Sequence, residues 1–457
     1  MLEKFINNRI INALPFVPNA GQEALLHLLT EFILSKNERK AFILRGYAGT
    51  GKTSVMSALV KAMGELKQSV VLLAPTGRAA KVLARYAQHP AFTIHKYIYR
   101  QKQLGNDSFA LADNLHRHTL FIVDEASMIS GHRDNPTFGS GILLDDLVKY
   151  VYSGEQCSLL LLGDDAQLPP IGTTHSPALQ IDYMHQYGLD IAHYTLVDVA
   201  RQALDSGILT NATAIRDLAL TIQPREKASI WNILMPSPDI IYIQSGSLAE
   251  HIEQSFNLVG EDQTILLTRT NKRTNIYNQG IRSRILWREE EIENGDRLMV
   301  CKNNYFWTES HSGIPFLANG DTLEISRLRN IREMYGFRFA DAQLRSLDYD
   351  WEIDTIIWLD TLYSDSPESN QKNHHILFER IAEDYPELSH NRKKLIEAIY
   401  QSPYYNALHV RFAYAITGHK SQGGQWKHVY IDPYKGGEIM ERKERIKLIE
   451  EFINKDK

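Results

Sequence analysis

Residues 46–53, GYAGTGKT, have the residue types and the spacing of a phosphate-binding loop. The segment fits the pattern G-x-x-x-x-G-K-[ST], in which glycines allow backbone N–H groups to face phosphate oxygens. We expect Lys52 to reach the β- and γ-phosphates of a nucleotide and Thr53 to bind Mg²⁺. The segment therefore predicts a site for ATP with Mg²⁺. The nucleotide-binding residues expected within it are Gly46, Gly49, Thr50, Gly51, Lys52 and Thr53.

Two adjacent acids, Asp124 and Glu125, follow the apolar segment 120–123. Asp124 is placed to hold Mg²⁺ together with Thr53, directly or through water. Glu125 is placed to orient the attacking water and to take its proton. Acids often end a strand without a catalytic role, so the pair alone is weak evidence. The phosphate-binding loop in the same sequence makes the evidence strong. Together the two motifs favour nucleotide hydrolysis over simple binding.

A third polar segment, GDDAQLPPIG, occupies residues 163–172. Gln167 carries a neutral amide that could sense the γ-phosphate and position the water. The Leu-Pro-Pro sequence at 168–170 is stiff and could carry that signal onward. From these residues alone, an ordinary rigid loop after a strand is an equally good interpretation.

The elements that must position these residues follow from the apolar pattern. Continuous apolar segments at 41–44, 70–73, 120–123 and 159–162 predict buried parallel strands. The segment 53–67 places its apolar residues on one helical face. Strands that alternate with helices predict a parallel α/β sheet, and such sheets bind ligands at the carboxyl ends of their strands.

A second α/β unit is expected to begin near residue 201. Residues 265–268 and 429–432 have the apolar composition of further buried strands. Between them, residues 321–405 are more polar and include a strand-like segment at 351–362. We interpret this stretch as a variable insertion on the second unit.

Composition limits the classes of protein that the chain can belong to. Its 457 residues are enough for two or three domains, and 43% hydrophobic with 23% charged residues is ordinary for a globular protein. Two cysteines, Cys157 and Cys301, cannot form a disulfide framework and fit a reducing, cytoplasmic location. No apolar run approaches the ~20 residues of a membrane helix. The net charge of -5 neither supports nor excludes a nucleic-acid partner.

Four motifs in this order resemble those of superfamily 1 helicases: GYAGTGKT, VDEASM, GDDAQLPPIG and AITGHKSQGGQW. The resemblance is to the RecD/Dda-like, 5′-to-3′ branch, superfamily 1B, and it covers residues 16 to 432. As a set the motifs are highly specific. The resemblance implies ATP-dependent movement on single-stranded DNA.

The resemblance also implies an architecture of two tandem RecA-like P-loop motor domains that face each other across ATP. We expect the first domain at residues 1–200, with a pin-like insertion at 96–118. We expect the second at 201–457, with a small β-rich, SH3-like insertion at 321–405. The fold class predicted for the chain is therefore α/β.

Further site residues are carried over by the resemblance. Gln22 matches a glutamine that recognises adenine, and Arg201 matches an arginine that reaches the γ-phosphate from the second domain. Phe109 is the candidate wedge of the pin, although a mere connecting hairpin is equally consistent with it. The expected DNA-binding residues are Pro75, Thr76, Thr93, His95, Phe109, Thr417, His419, Lys420, Ser421 and Gln422.

One family-like stretch, TRTNKRTNIYNQGIR, carries three more polar residues of interest. They are Asn271, Asn278 and Arg282. From the residues alone, each could equally be an ordinary polar residue of a helix.

Two departures from the family pattern affect the expectations. Gln425 occupies a position where the family commonly has Glu. Residues 436–457 contain no threonine–arginine pair of the kind that supplies a second arginine to the γ-phosphate, and Arg442 and Arg445 lie in no matching motif. The resemblance therefore predicts a shortened second domain, slow turnover and weak unwinding, with the tail as a charged helix.

The leading hypothesis is a monomeric DNA helicase whose ATP hydrolysis is stimulated by single-stranded DNA. Its expected partners are single-stranded DNA and duplex junctions, and its expected setting is DNA repair, recombination or replication. An alternative is a truncated, poorly active relative that binds nucleotide and DNA. A small-molecule kinase with a P-loop is a further alternative, but it leaves the Gln167 loop and GHKSQGG unexplained. The sequence contains no pattern typical of a nuclease metal site.

Overall fold

The computed structural model describes most of the chain. The residues described are 2–47, 49–101, 109–133, 138–170, 172–173, 175–198, 206–221, 235, 237–243, 245–308, 316–347, 351–364 and 367–432. Arg201 and the tail residues Arg442 and Arg445, on which three expectations depend, lie outside the described residues.

The described helices and strands alternate through the first 200 residues and become more mixed afterwards. The helices are α1 Leu2–Ala13, α2 Ala20–Leu34, α3 Lys52–Glu65, α4 Gly77–Ala87, α5 Ile94–Ile98, α6 Leu143–Ser153, α7 Ile181–His185, α8 Gly207–Thr221, α9 Leu248–Val259, α10 Asn271–Arg284, α11 Pro367–Ala382, α12 Arg392–Tyr400 and α13 Gly418–Ser421. The strands are β1 Lys40–Gly46, β2 Val70–Ala74, β3 Ala91–Thr93, β4 Tyr99–Gln101, β5 Phe109–Leu111, β6 Leu120–Val123, β7 Ser158–Gly163, β8 Asp190–Leu196, β9 Thr264–Thr268, β10 Arg297–Val300, β11 Thr322–Met334, β12 Phe337–Ser346, β13 Glu352–Trp358, β14 Leu408–Phe412, β15 Ala415–Thr417 and β16 His428–Ile431.

The first unit is a six-stranded parallel sheet in the order β3-β2-β6-β7-β1-β8. Strand β7 shows why its sequence is a continuous apolar run. Leu160 and Leu162 enter the core on one face of the sheet, while Leu159 and Leu161 enter the core on the other. Because helices cover both faces, neither set of side chains can be polar. The four strands predicted in this unit are all present in the sheet.

The second unit combines a small parallel sheet with a closed barrel. The sheet has the order β15-β9-β16, and it contains the two strands predicted at 265–268 and 429–432. The barrel has the order β10-β11-β12-β13-β14, with β14 paired back to β10. The prediction of a mixed α/β fold with parallel sheets is thus confirmed.

The barrel differs in extent from the β-rich insertion expected at 321–405. Its strands run from Arg297 to Phe412, so flanking residues on both sides complete it. Helices α11 and α12 lie between β13 and β14, and Leu377 and Ile399 from them pack against Trp358 outside the barrel. The expected likeness of this insertion to an SH3 domain stays a prediction.

The family-like polar residues of α10 hold the second unit together. Asn278 is buried, donates to the carbonyls of Phe412 and Ala415 at 3.0 Å, and accepts from the backbone N–H groups of Tyr414 and Ala415. All four hydrogen-bonding positions of its amide are therefore filled. Arg282 donates two bonds to the buried carboxylate of Asp296, both at 2.8 Å. These side chains are structural and position the segment that leads into α13.

No helix in the described part of the chain combines the length and the apolar character needed to cross a membrane.

Candidate nucleotide site and adjoining groove

The phosphate-binding loop connects β1 to α3. Gly49 and Gly51 have φ of 76° and 89°, in the left-handed region that glycine adopts without a steric penalty. Gly51 is the N-cap of α3 and contributes no side-chain cap. The first N–H groups of the helix therefore face outward toward any anion, which is the geometry that binds phosphate.

Lys52, at the start of α3, is held by backbone oxygens of the loop. Its ammonium donates to the carbonyls of Gly46 and Tyr47, the latter at 3.0 Å, and lies 3.9 Å from a carboxylate oxygen of Asp164. The side chain is 16% exposed. The ammonium already has these carbonyl oxygens as partners, so it would have to exchange partners in order to bind a nucleotide phosphate.

The two acids lie where β6 ends. Burial raises the pKa of Asp124, while the Glu125 backbone N–H and the Lys52 ammonium act in the opposite direction. The Glu125 N–H donates to Asp124 at 2.9 Å, and Glu125 itself has φ of 53°. A non-glycine residue in this conformation is uncommon and is a feature of functional sites.

Mg²⁺ would fit between these two elements. Asp124 offers a carboxylate, and Thr53 offers a hydroxyl in the first turn of α3. Mg²⁺ typically takes one or two protein oxygens and completes its shell with water and phosphate. When bound, it would neutralise charge on the nucleotide phosphates. Within the described residues, no cluster of three or more His, Cys, Asp or Glu residues could hold a metal by itself.

Gln167 contacts the segment that follows Asp124 and Glu125. Its side-chain oxygen accepts from the Ser127 hydroxyl at 3.4 Å, and its backbone N–H donates to the Asp164 carbonyl at 3.2 Å. Asp164 in turn is the buried acid near Lys52. Residues 164–167 therefore form one turn against the phosphate-binding loop.

Gln22 contacts the phosphate-binding loop from the start of α2. It is 2% exposed, and it forms a capping box with Asn19 at the start of α2. Its amide N–H donates to the Thr50 carbonyl at 3.1 Å, and its side-chain oxygen accepts from the Asn19 N–H at 3.1 Å. These bonds use one donor and one acceptor position of the amide, which has two of each. The adenine contact of Gln22 stays a prediction.

A groove of about 1320 Å³ lies beside the nucleotide site. Its walls come from the carboxyl edge of the first sheet, from the barrel and its helices, and from α13. Eight of the ten predicted DNA-binding residues line it. They are Pro75, Thr76, Thr93, His95, Phe109, His419, Lys420 and Gln422.

The other two predicted residues, Thr417 and Ser421, are not among the lining residues. Ser421 is fully buried, and its hydroxyl donates to the Gly418 carbonyl at 2.7 Å. That bond closes the short helix α13, so Ser421 shapes the helix instead of contacting a ligand. Thr417 is the residue that precedes α13 and is partly buried.

The two threonines of the first unit act as helix caps. The Thr76 oxygen accepts from the Ala79 N–H at 3.2 Å, and the Thr93 oxygen accepts from the Lys96 N–H at 3.2 Å. A hydroxyl that accepts in this way keeps its own proton, so each can still donate to a phosphate oxygen. Capping fixes the direction in which that proton is offered.

His95 enters the groove as a neutral ring. Burial lowers the pKa of its imidazole to about 4. The ring lies among aromatic neighbours, with centroids 5.1 Å from Phe138 and 5.8 Å from Tyr99. His95 can therefore offer hydrogen bonds and ring contacts at neutral pH, but not a positive charge.

Phe109 lies on the β4–β5 hairpin, whose turn at 102–108 is outside the described residues. Its ring stacks on Phe138 with centroids 4.6 Å apart. The side chain is half-buried by this contact. Stacking of this kind fits a connecting hairpin as well as a wedge, so the pin stays a prediction.

Lys420 is a partly buried cation in the wall of the groove. Its ammonium donates to the Asn319 side chain at 2.7 Å. Burial lowers its pKa, and the nearby Arg411 guanidinium lowers it further. Two like charges side by side favour an anion between or near them.

The barrel contributes a wall that sequence motifs did not indicate. Lys302, Asn303, Tyr305, Phe306, His374, Tyr405 and Asn406 line it. These residues come from loops and helices far apart in the chain and match no motif. The segment CKNNYFW at 301–307, which mixes a cation, amides and aromatics after a strand, is the one local pattern that could have drawn attention to it.

The two units touch on both sides of the groove. The Gln422 amide donates to the Leu168 carbonyl at 3.2 Å. Lys81 of α4 pairs with Asp321 of the barrel at 2.9 Å, and Arg78 stacks over Trp426 at 4.3 Å. The groove is therefore bounded by contacts that can change if one unit moves against the other.

Comparisons with known proteins find similar sequences. Residues 19–222 match the AAA_30 family, an AAA domain. The uncharacterized protein R530 of Acanthamoeba polyphaga mimivirus is 25% identical over 91% of this chain and 93% of its own length. The ATP-dependent RecD2 DNA helicase of Deinococcus radiodurans is 32% identical over 156 residues, 34% of this chain and 20% of that protein.

The fold itself has a counterpart among solved structures. The crystal structure of a Pif1 helicase from Bacteroides, in complex with ADP-AlF3 and single-stranded DNA, aligns with a TM-score of 0.50 and 13% identity over 95% of this chain and 90% of that chain. The architecture is that of tandem RecA-like P-loop domains. The ordered motifs and the AAA domain at residues 19–222 are similar to those of superfamily 1B helicases.

Proposed function

We propose that the protein is an ATP-driven DNA helicase that moves 5′-to-3′ along single-stranded DNA. One observation carries the proposal. The loop 163–170 begins beside Lys52 and ends in the wall of the groove. A change at the γ-phosphate can therefore reach a bound strand through this short loop, which two prolines stiffen.

The contacts along this loop support such coupling. Asp164 faces Lys52, Gln167 faces Ser127, and the Leu168 carbonyl accepts from Gln422. Pro169 and Pro170 line the groove directly. Because proline restricts backbone rotation, a shift at Gln167 would be passed on and not absorbed.

The groove has the chemistry of a nucleic-acid backbone site. Thr76 and Thr93 offer hydroxyl protons, and Lys420 offers a positive charge near Arg411. Such groups suit phosphate oxygens, which carry no sequence information. The aromatic and amide side chains of the opposite wall suit unpaired bases.

In this proposal, Lys52 stabilises the phosphates, and Thr53 and Asp124 hold Mg²⁺. Glu125 takes the proton of the attacking water, and Gln167 orients it. Arg201, from the start of the second unit, stabilises charge on the γ-phosphate. ATP binding draws the two units together and hydrolysis releases them, so that contacts to the strand alternate.

The proposed partners are single-stranded DNA and duplex junctions, and the proposed setting is repair, recombination or replication of DNA. The solved Bacteroides Pif1 structure contains single-stranded DNA, which supports this choice of partner. We propose that the protein acts as a monomer in the cytoplasm.

Strand displacement on tailed duplexes tests the proposal. The full chain is incubated with ATP and a duplex that carries either a 5′ or a 3′ single-stranded tail. We expect unwinding of the 5′-tailed duplex alone, and none when a non-hydrolysable ATP analogue replaces ATP. Equal unwinding of both duplexes would contradict the direction. Unwinding of neither duplex, together with little ATP hydrolysis, would leave a poorly active nucleotide- and DNA-binding relative as the better description.

A further inference from the structure

An arginine from beyond the first sheet contacts the phosphate-binding loop. Arg216, on α8, places its guanidinium carbon 4.0 Å from the centroid of the Tyr47 ring. Its side chain is only 11% exposed. A guanidinium over an aromatic face is attracted by the ring quadrupole, and burial strengthens the attraction. Tyr47 is the residue directly after Gly46 in the loop, so α8 is joined to the nucleotide site.

Tyr47 also holds the catalytic cation through its backbone. Its carbonyl accepts from the Lys52 ammonium at 3.0 Å and from the Thr50 hydroxyl at 2.8 Å. Tyr47 thus contacts α8 through its ring, and it contacts Lys52 and Thr50 of the loop through its carbonyl. If Lys52 exchanged this carbonyl for a phosphate oxygen, Tyr47, whose ring contacts Arg216, would lose a hydrogen bond.

The charge of Arg216 is not strongly neutralised by its neighbour. Asp217 lies 3.5 Å away, but its side chain is 64% exposed, so water screens the pair. The largely buried guanidinium therefore has the ring of Tyr47 as a close partner.

We propose that Arg216 is a positioning residue that couples α8 to the phosphate-binding loop through Tyr47. Movement of α8 would then change how readily Lys52 is released to the nucleotide. This inference rests on the proposed function, because it supposes that the chain hydrolyses ATP. It adds an arginine that no motif indicated, since Arg216 lies inside the helical sequence ATAIRDLAL.

A double-mutant cycle on turnover tests the coupling. The full-length variants are Arg216→Gln, Tyr47→Leu and the two together, with Arg85→Gln as a matched control that removes another arginine–tyrosine contact, on Tyr86. Residues in contact commonly show interaction energies equivalent to about 2–150-fold, so we expect each single variant to lower DNA-stimulated kcat by about tenfold. The double variant should lose no more than either single one, and Arg85→Gln should match the wild type.

Two further measurements separate coupling from a loss of structure. Thermal unfolding should show each variant folded at the assay temperature, and Arg216→Lys should recover part of the rate because an ammonium also binds a ring face. Independent, additive losses from the two single variants, or a wild-type rate in Arg216→Gln, would overturn the inference alone. A wild type that does not hydrolyse ATP would overturn the proposed function and this inference with it.

Discussion

At the scale of single residues, the proposed mechanism depends most on Glu125 for hydrolysis. It sits in a left-handed conformation at the end of β6, next to the acid expected to hold Mg²⁺. We predict that Glu125→Gln keeps nucleotide affinity but lowers turnover by roughly a hundredfold or more, since general-base catalysis contributes 10²–10⁴-fold. Single-turnover hydrolysis and binding of a fluorescent ATP analogue would measure the two effects separately.

The matched control for that substitution is Glu65→Gln, at the exposed end of α3. It makes the same chemical change on a neighbouring element and should leave turnover intact. Equal rates in the wild type and Glu125→Gln would remove Glu125 from the mechanism.

Lys420 is the residue that should contribute most to backbone binding. We predict that Lys420→Ala weakens binding to single strands of unrelated sequence by a similar factor and makes binding less dependent on salt, because each phosphate contact adds to the salt slope. Lys427→Ala removes an exposed cation outside the groove and serves as the control. Fluorescence anisotropy at several salt concentrations gives both quantities, and unchanged affinity in Lys420→Ala would exclude a phosphate contact there.

His95 makes a prediction about pH. Burial lowers its folded-state pKa from 6.5 to about 4, so the unfolded chain binds a proton that the folded chain rejects. Above about pH 6.5, protonation of His95 does not change the free energy of unfolding. As the pH falls toward 4, it lowers the free energy of unfolding more and more. We therefore expect His95→Gln to reduce the loss of stability between pH 7 and 5, measured by denaturant unfolding. An unchanged pH dependence would mean that the ring is charged in the folded protein.

At the scale of elements, the start of α4 controls how closely the two units approach. A Cβ atom on Gly77 would lie 2.3 Å from the Ala318 side chain, which no real contact allows. We predict that Gly77→Ala separates α4 from the barrel, loosens the Lys81–Asp321 pair and lowers DNA affinity. In contrast, a Cβ on Gly64 in α3 meets nothing within 4 Å. Gly64→Ala should stabilise the protein by about 0.5–1 kcal/mol through helix propensity and leave DNA binding unchanged.

The elements that the sequence predicted best are those with a strong local signal. Every apolar segment of the first sheet became a strand, because burial on both faces demands continuous apolar residues. The loop of glycines and the acids after β6 were also predictable, since each motif has a fixed place at a strand end. Local signals are sufficient there because neighbouring residues form the whole motif.

The remaining features have a different physical origin. The capping box of Gln22 with Asn19 follows a pattern in PNAGQ that was already present in the sequence, while the adenine contact of Gln22 stays a prediction. Ser421 proved to be buried within a single helical turn. The barrel wall and the contact of Arg216 with Tyr47 depend on residues far apart in the chain, and no local pattern specifies such pairs.

At the scale of the whole molecule, one loop connects the candidate nucleotide site with the groove. The loop 163–170 joins them within the first unit, and Gln422 ties that loop to α13 of the second. A strand that occupies the groove should therefore change the geometry around Gln167. Conversely, nucleotide binding should change the affinity for the strand, because coupling between two binding sites is reciprocal.

The most direct test of this coupling is steady-state ATP hydrolysis by the full chain, titrated with single-stranded DNA. The structure predicts a rate that rises with DNA to a plateau. Lys420→Ala should need more DNA to reach that plateau, while its rate without DNA stays that of the wild type. A rate that is the same with and without DNA would contradict the central claim that the two sites act through one loop.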